Sequence, residues 1–261
     1  MKKLLFFLLF APFILFGQKD YKHFEKYMPS SECGEIIHYE FYTISYCEQK
    51  KLSEWTIYYL DKKRIRLADS LDLSVARQTH YTLDNEKRGG KQSDFKYSGY
   101  DRGHLVPAKD MRFDKKAIRQ VNYLTNVAPF TPSLNRGRWK ILERLVSAGL
   151  YDWAERMENV VIITGWTGSN SFIKENSTIP VPNYYYKVLV DVKANRALAF
   201  MMPNATIEEL REVKELTDYV VSFEELESKT GIDFFYKLND DLEREIEGLV
   251  SGDINTLKKN Q

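Results

Sequence analysis

Several patterns are scarce or missing in this 261-residue chain, and each absence narrows the kind of protein it encodes. Beyond the apolar run from Leu4 to Phe16, no segment is apolar over the about 20 residues that a membrane span needs. The sequence has no internal repeat and no low-complexity linker, so one large domain or two small ones are expected. With 43% hydrophobic and 14% aromatic residues, the chain can bury a sizeable core, which excludes a disordered protein.

The N-terminal residues MKKLLFFLLFAPFILFG place two lysines before a short apolar run and end it on the small residue Gly17. This pattern is typical of a secretory signal peptide over residues 1–17 that is cleaved near Gly17–Gln18. A membrane anchor is the alternative, but the run is short and contains Pro12. We therefore expect a secreted or periplasmic protein without stable membrane insertion after cleavage.

Cysteine is as scarce as long apolar runs, with only Cys33 and Cys47 in the chain. Both follow the predicted signal peptide, and disulfides persist in exported proteins. A disulfide is favoured over two buried free thiols, and it would add about 3 kcal/mol of stability by chain entropy.

Net charge is also nearly absent, at +1, but its distribution is uneven. Residues 77–144 hold 15 Lys and Arg against 7 Asp and Glu, whereas residues 205–261 hold 7 against 15. The basic middle of the chain predicts a polyanionic partner, and two ordinary solvated surfaces explain the same counts equally well.

Strand and helix patterns alternate without a βαβ rhythm, which predicts an α+β domain with a largely antiparallel central sheet flanked by helices. The polar stretch from Arg77 to Tyr100 is expected to be loop with short strands. Other expected elements are two strands within 35–61, a helix over 132–157, a buried strand at 159–166, a hairpin over 184–204 around the turn KANR, and helices capped by Thr206 and Ser222.

Histidine occurs only four times, at His23, His38, His80 and His104. His104 lies in GYDRGHLVPAKDM, where Asp101 and Arg102 stand close enough to orient a general base and hold an anion. A charged turn with a structural histidine is the alternative, and this stretch alone favours it. His38 and His80 are expected to be structural or exposed.

A second group of polar residues follows in YLTNVAPFTPSLNRGRWKILE, where Asn126, Asn135 and Glu143 stand nine and eight positions apart. Amide and carboxylate oxygens suit Mg²⁺, which keeps several waters and takes few protein ligands. The alternatives are a helix N-cap for Asn135 and a solvent-exposed helix charge for Glu143.

YDRGHLVPAKDM followed by NYLTNVAP, LNRGRW and LE resembles the DNA/RNA non-specific endonuclease family. These ββα-metal nucleases include secreted bacterial nucleases and mitochondrial endonuclease G. The resemblance runs from about Cys33 to about Leu238 and includes LSEWTIYYL, VVIITG, YYYKVLVD and SFEELESKTGIDFF. It implies a single nuclease domain over residues 18–261 that contains a ββα-metal catalytic motif.

The resemblance also implies a role for each matching residue. His104 would be the general base that activates water, and Asp101 and Arg102 would support the site and grip phosphate. Asn135 would be the one direct protein ligand of Mg²⁺, with Mn²⁺ as an alternative, and Glu143 would hold a metal-bound water. Asn126 would orient water or the catalytic loop.

Three positions depart from the family pattern. Arg77 would stabilise the transition state, but its loop is shorter than in relatives, which leaves Arg88 as the fallback. Phe130 stands where relatives carry glutamine, and Trp166 where proline is common.

The implied function is an exported, Mg²⁺-dependent, sugar-non-specific endonuclease for DNA and RNA, in which one metal ion stabilises the leaving 3′-oxygen. The alternatives are a secreted nucleic-acid-binding protein without turnover and a phosphodiesterase of narrower specificity. A homodimer is left open.

Overall fold

The computed structural model describes residues 20–70, 81–147, 159–206 and 215–248. The predicted signal peptide, Arg77, His80 and the end of the predicted 132–157 helix lie outside these ranges. Among the helices in these ranges, none is long and apolar enough to cross a membrane.

A seven-stranded sheet forms the centre of the molecule, and every neighbouring pair of its strands is antiparallel. A second sheet has two antiparallel strands, β4 and β5. In the large sheet the order is β1-β2-β3-β6-β7-β8-β9, so the chain leaves it after β3 and returns at β6. The strands are β1 Glu35–His38, β2 Tyr42–Cys47, β3 Leu52–Asp61, β4 Asp101–His104, β5 Val127–Phe130, β6 Asn159–Phe172, β7 Pro180–Asp191, β8 Arg196–Pro203 and β9 Val220–Val221.

The large sheet is buried on both faces, which explains why its central strands read as continuous apolar runs. In β3, Trp55 and Ile57 join the core on one face, whereas Tyr58 and Leu60 join the core on the other. Successive side chains of a strand point to opposite faces, so one run feeds two cores.

Different segments of the chain supply the helices that cover the two faces of the large sheet. The segment that carries the second sheet packs on one face, and the last two helices pack on the other. The helices are α1 Tyr21–Phe24, α2 Lys62–Ser70, α3 Gln92–Phe95, α4 Lys115–Val121, α5 Pro132–Arg136, α6 Arg138–Ser147, α7 Phe223–Thr230 and α8 Asp240–Glu247, with 3₁₀ turns at Glu25–Tyr27, Leu124–Asn126 and Leu216–Tyr219.

The small sheet is fastened to the large one by polar contacts at the end of β5. Asn204 Nδ2 donates to the carbonyl oxygens of Pro129 and Pro182, both at 3.0 Å, and its Oδ1 accepts from the amide of Thr131 at 2.7 Å. The Tyr185 hydroxyl donates to Pro129 O at 2.9 Å. These bonds fix the position of β4 and β5 relative to β7.

Most expected elements are found, with three corrections. The hairpin of β7 and β8 turns at KANR, but residues 35–61 form three strands rather than two, and the strand that begins at Asn159 extends to Phe172. The expected helix over 132–157 breaks at Gly137, whose φ of −104° and ψ of −113° are not helical. Ser222 caps α7 through Glu225 N at 3.1 Å, and the helix expected after Thr206 lies outside the described residues.

The segments near the two ends of the described chain meet behind the large sheet. The Ser30 amide donates to Asp233 O at 2.9 Å, and the Asp233 amide donates to the Ser30 hydroxyl at 2.8 Å. Trp55 Nε1 donates to Ser30 O at 2.8 Å. Cys33, which is close to Ser30 in the sequence, forms the favoured disulfide with Cys47.

Candidate active site

The strand β4 presents its four residues in alternation, because successive side chains of a strand point to opposite sides. Arg102 and His104 share one side, where both approach the ring of Tyr81. The Arg102 guanidinium carbon lies 5.1 Å from the Tyr81 ring centre, and the His104 ring centre lies 5.3 Å from it. A cation and an imidazole are thus held side by side.

Asn122 orients the His104 ring. His104 Nε2 lies 3.0 Å from Asn122 Oδ1, and Asn122 Nδ2 donates to Ile118 O at 2.9 Å. Because that second bond fixes Oδ1 as the acceptor, His104 carries its proton on Nε2 and keeps Nδ1 as the basic atom. Burial lowers the pKa of His104, while the bond to Asn122 offsets this in part by favouring the protonated ring. The imidazole is therefore neutral at physiological pH.

Gly103 is required by the packing against β4. A Cβ atom at this position would collide with the ring of Phe130, which is fully buried. Phe130 stacks on Tyr185 with ring centres 3.6 Å apart and cannot move aside. The residue that departs from the family pattern therefore supports β4 from behind and does not face a substrate.

Asp101 joins the strand to α5. Its Oδ2 accepts from Asn135 Nδ2 at 2.9 Å and from Arg136 Nε at 2.8 Å, and its Oδ1 accepts from Arg136 Nη2 at 2.6 Å. The bonds from Arg136 and Asn135 lower the pKa of Asp101 against the opposing effect of burial. Since Asn135 uses its Nδ2 here, its Oδ1 is the atom that can accept a cation. Thr131, and not Asn135, is the N-cap of this helix.

Asn126 is completely buried, and its side chain bonds to backbone groups. Its Oδ1 accepts from Val106 N at 2.9 Å, and its Nδ2 donates to Val106 O at 3.0 Å and Val121 O at 2.8 Å. Of the two expected roles for Asn126, these bonds fit the positioning of the loop that follows His104.

Glu143 lies on α6 next to a group of buried charges. Burial raises the pKa of Glu143 to about 7 against the opposing attraction of Lys187, and Asp110 contributes to the rise. Lys187 is fully buried, donates to the Thr164 hydroxyl at 2.8 Å and lies 4.9 Å from the ring centre of Trp139 on α6. Glu143 itself is half-buried on α6 rather than fully solvent-exposed.

The donor set suits a hard cation with few protein ligands. Within the described ranges, no three His, Cys, Asp or Glu side chains come together as a metal-binding group. An amide oxygen of Asn135, with a carboxylate on the following helix, fits Mg²⁺, which retains most of its waters. The same set does not suit zinc, which prefers three or four nitrogen and sulfur ligands.

The fallback arginine is engaged elsewhere. Arg88 Nε donates to Asp84 Oδ2 at 2.8 Å, and Asp84 also accepts from the Tyr39 hydroxyl at 2.8 Å. The Arg88 side chain thus bonds to Asp84, which lies outside β4. Arg77 lies outside the described residues, and its role stays a prediction. Trp166 donates its Nε1 to Ser53 O at 2.8 Å and is a structural residue of β6.

Sequence reasoning missed three residues of the site: Tyr81, Asn122 and Arg136. Arg136 stands inside LNRGRW and directly follows Asn135, so the sequence indicates that it lies near the site. The sequence does not indicate its bond to Asp101. Tyr81 and Asn122 reach His104 only through the fold and carry no sequence signal of their own.

Two antiparallel strands followed by a helix, with a histidine on the first strand and a carboxylate–amide pair joining strand to helix, define the ββα class of hydrolytic site. The model of the DNA/RNA non-specific endonuclease family matches residues 20–241. The chain belongs to this family, and it is therefore a nucleic-acid phosphodiester hydrolase.

Individual relatives agree with the family. The chain is 27% identical to mitochondrial endonuclease G of Caenorhabditis elegans over 77% of this chain and 68% of the relative. It is 25% identical to nuclease C1 of Cunninghamella echinulata var. echinulata over 78% of this chain and 84% of the relative. Human mitochondrial endonuclease G is 27% identical over 75% of this chain and 67% of that protein.

A solved structure supports the fold. A chain in the crystal structure of the EndoG/EndoGI complex matches with a TM-score of 0.71 and 22% identity. The match covers 87% of this chain and 94% of that chain, so the similarity extends over the whole α+β architecture and not over the catalytic segment alone.

Proposed function

We propose that the protein is an exported, Mg²⁺-dependent endonuclease that hydrolyses DNA and RNA without regard to sugar. The observation that carries the proposal is the arrangement on β4. Asp101 at one end of the strand holds the amide of Asn135, and His104 at the other end keeps Nδ1 basic. A cation ligand and a general base thus lie at the two ends of a four-residue strand.

In this proposal His104 Nδ1 takes the proton of the attacking water, and Arg102 binds a phosphate oxygen beside it. Asp101 keeps the Asn135 amide oriented with its oxygen toward the cation. Glu143, on α6, would hold a water molecule that is bound to the same cation. A bound divalent cation would supply Lewis-acid stabilisation of the scissile phosphate and of the leaving 3′-oxygen.

Low sequence selectivity follows from the kind of contacts that the proposal uses. Arginine and lysine contacts to phosphate carry no base information and weaken steeply with salt. The basic balance of residues 77–144 supports this mode of binding. Arg77 is proposed as the arginine that neutralises transition-state charge.

The decisive experiment is the degradation of plasmid DNA and of RNA with Mg²⁺, compared with the same assay in EDTA. We expect cleavage of both substrates, its loss in EDTA and a fall of at least about 100-fold for His104→Ala. Full activity in EDTA, or full activity of His104→Ala, would refute the mechanism. Binding without cleavage across metals and pH would instead support a binding protein.

Export is proposed from two features that agree. The first is the signal-peptide pattern of residues 1–17, and the second is the Cys33–Cys47 disulfide, which suits an oxidising compartment. Mass spectrometry of the secreted protein should find an N-terminus near Gln18. A secreted protein that still begins at Met1 would rule this out.

A further inference from the structure

One exposed aromatic side chain stands beside the catalytic strand on a backbone that does not favour it. Tyr97 is 91% exposed and has a φ of +62°. The left-handed region is uncommon for residues other than glycine and asparagine, and a bulky side chain there is strained.

The local geometry shows why the strain arises. The Ser98 amide donates to Phe95 O at 3.3 Å, and Lys96 has φ −67° and ψ 122°. These values describe a type II turn over 95–98, whose third position requires positive φ and normally holds glycine or asparagine. Phe95 is buried and anchors the turn, so Tyr97 is held outward in an otherwise fixed segment.

A pocket of about 530 Å³ lies between this turn and β4. Tyr97 and Tyr100 line it with aromatic rings, and Lys96 and Arg102 line it with positive charge. Asp101 also lines it, and its carboxylate is paired with Arg136. Its volume falls within the about 300–1,000 Å³ of small-ligand sites. Arg102 is shared between this pocket and the catalytic strand, so a ligand in the pocket would adjoin the scissile phosphate.

The pocket is held in place from two sides. Lys174 Nζ, from the turn between β6 and β7, donates to Ser93 O at 2.6 Å. Gln92 Nε2 donates to Tyr81 O at 2.5 Å, which ties α3 to the residue that packs against His104. The position of Tyr97 relative to the site is therefore set by the fold.

We propose that Tyr97 and this pocket form a nucleobase subsite, in which an unpaired base next to the scissile phosphate stacks on the Tyr97 ring. This inference rests on the proposed nuclease function and specifies its substrate. Every base has a π-face, so a stacking platform accepts any sequence. Lys96 Nζ lies over one face of the Tyr97 ring, 4.8 Å from the ring centre. The opposite face is the one proposed for the base, and the ammonium group supplies charge for the adjoining phosphate. Since bases within a duplex are already stacked and paired, the subsite favours single-stranded substrates.

The test separates stacking from charge by measuring binding in the cleavage-deficient His104→Ala background with Mg²⁺. Two fluorescent dodecamers are compared, one of ordinary DNA and one abasic throughout, because they carry the same phosphates. Tyr97→Gly should raise Kd for ordinary DNA about 5- to 150-fold, the equivalent of about 1–3 kcal/mol, and should leave the abasic oligomer unchanged. Tyr97→Phe should bind like the parent.

Tyr236→Ala provides a matched control, because Tyr236 is also exposed and has Lys237 5.7 Å from its ring centre, but it lies in the segment that follows α7. It should change neither Kd. Thermal unfolding checks the fold of the variants, and Tyr97→Gly should melt at or above the parent temperature, since glycine suits the turn.

Equal losses on both oligomers, or no loss on ordinary DNA, would overturn the subsite. Failure of the proposed function is recognised separately, because it would appear as absent cleavage of plasmid and RNA by the unmutated protein.

Discussion

The orientation of the His104 ring depends on Asn122, a residue 18 positions along the chain, more than on its charged sequence neighbours. Asp101 turns instead toward Asn135 and Arg136, and Arg102 packs on Tyr81. The charges of the DRGH stretch therefore contact Tyr81 and α5, while a neutral amide sets the tautomer of His104.

The pH dependence of cleavage should reflect this arrangement. Burial lowers the pKa of His104 below its usual 6.5, and a general base works only while it is unprotonated. The fall in kcat/KM that protonation of His104 causes should therefore lie below pH 6.5. Asn122→Asp places a carboxylate on Nε2, favours the protonated ring and should move this acid limb upward by about one pH unit or more.

Asn85→Asp is the control, since Asn85 is exposed and bonds to Tyr123 rather than to His104. A pH profile of kcat/KM that is the same for Asn122→Asp and the unmutated protein would contradict the assignment.

Substitution of Gly103 tests the packing behind the strand. Gly103→Ala should lower the free energy of unfolding by about 1–3 kcal/mol and reduce cleavage, because its methyl group meets the immobile Phe130 ring. Urea titration measures the first effect and plasmid cleavage the second. Adding Phe130→Leu should recover part of the loss, since contacting residues are energetically coupled. Strictly additive losses would show that the ring is not the obstacle.

The sequence predicts the site residues that stand in short motifs. It does not predict the residues that only the fold brings to the site. His104, Asp101 and Asn135 stand in short motifs, and the structure brings the last two into contact. Asn122 and Tyr81 approach His104 from separate segments, so no local pattern marks them. The charge environment of Glu143 depends on Lys187, which arrives on β7 from 44 positions away and cannot be read from α6 alone.

At the scale of elements, one asparagine helps to attach β4 and β5 to the large sheet. Asn204 links the end of β5 to β7 through three hydrogen bonds. Asn204→Ala removes the side-chain partner of Thr131 N and Pro182 O, while Pro129 O keeps the Tyr185 hydroxyl. The substitution should cost about 1–3 kcal/mol of unfolding free energy, with a fall in kcat. Chemical denaturation and steady-state kinetics measure the two effects.

Asn183→Ala serves as the comparison for Asn204→Ala, because Asn183 stands opposite on the neighbouring strand and contributes its backbone carbonyl to Asn204 N. It should leave both quantities close to those of the unmutated protein. Equal effects of the two substitutions would contradict the fastening role of the Asn204 side chain.

Helices and strands with a strong hydrophobic periodicity were predictable from the sequence. The positions at which they are interrupted were not. The β7–β8 hairpin follows from two apolar runs around a polar turn. The expected continuous helix from 132 fails at Gly137, because the bonds of Asn135 and Arg136 to Asp101 hold the end of α5 at β4. Residues 35–61 form three strands because the Tyr39 amide donates to Tyr42 O, a turn that an aromatic-rich run conceals.

At the scale of the whole molecule, the disulfide should contribute to stability and not to chemistry. Cys33 and Cys47 close a short loop, and none of the contacts of β4 described above involves them. Cys33→Ser with Cys47→Ser should lower the free energy of unfolding by about 3 kcal/mol and leave kcat/KM at 25 °C unchanged. Urea unfolding with and without a reductant checks this. If removal of the disulfide lowers the cleavage rate while the protein is still folded, the prediction is wrong.

The bonds between Ser30 and Asp233 join positions 203 residues apart. Such distant closure slows folding, because the entropy of a long loop is lost before its contacts form. A polypeptide that emerges from the ribosome N-terminus first cannot make this closure until Asp233 has been synthesised. Under the proposed export, this delay would keep the chain unfolded while it leaves the cell, so that the active nuclease would form only outside the cell.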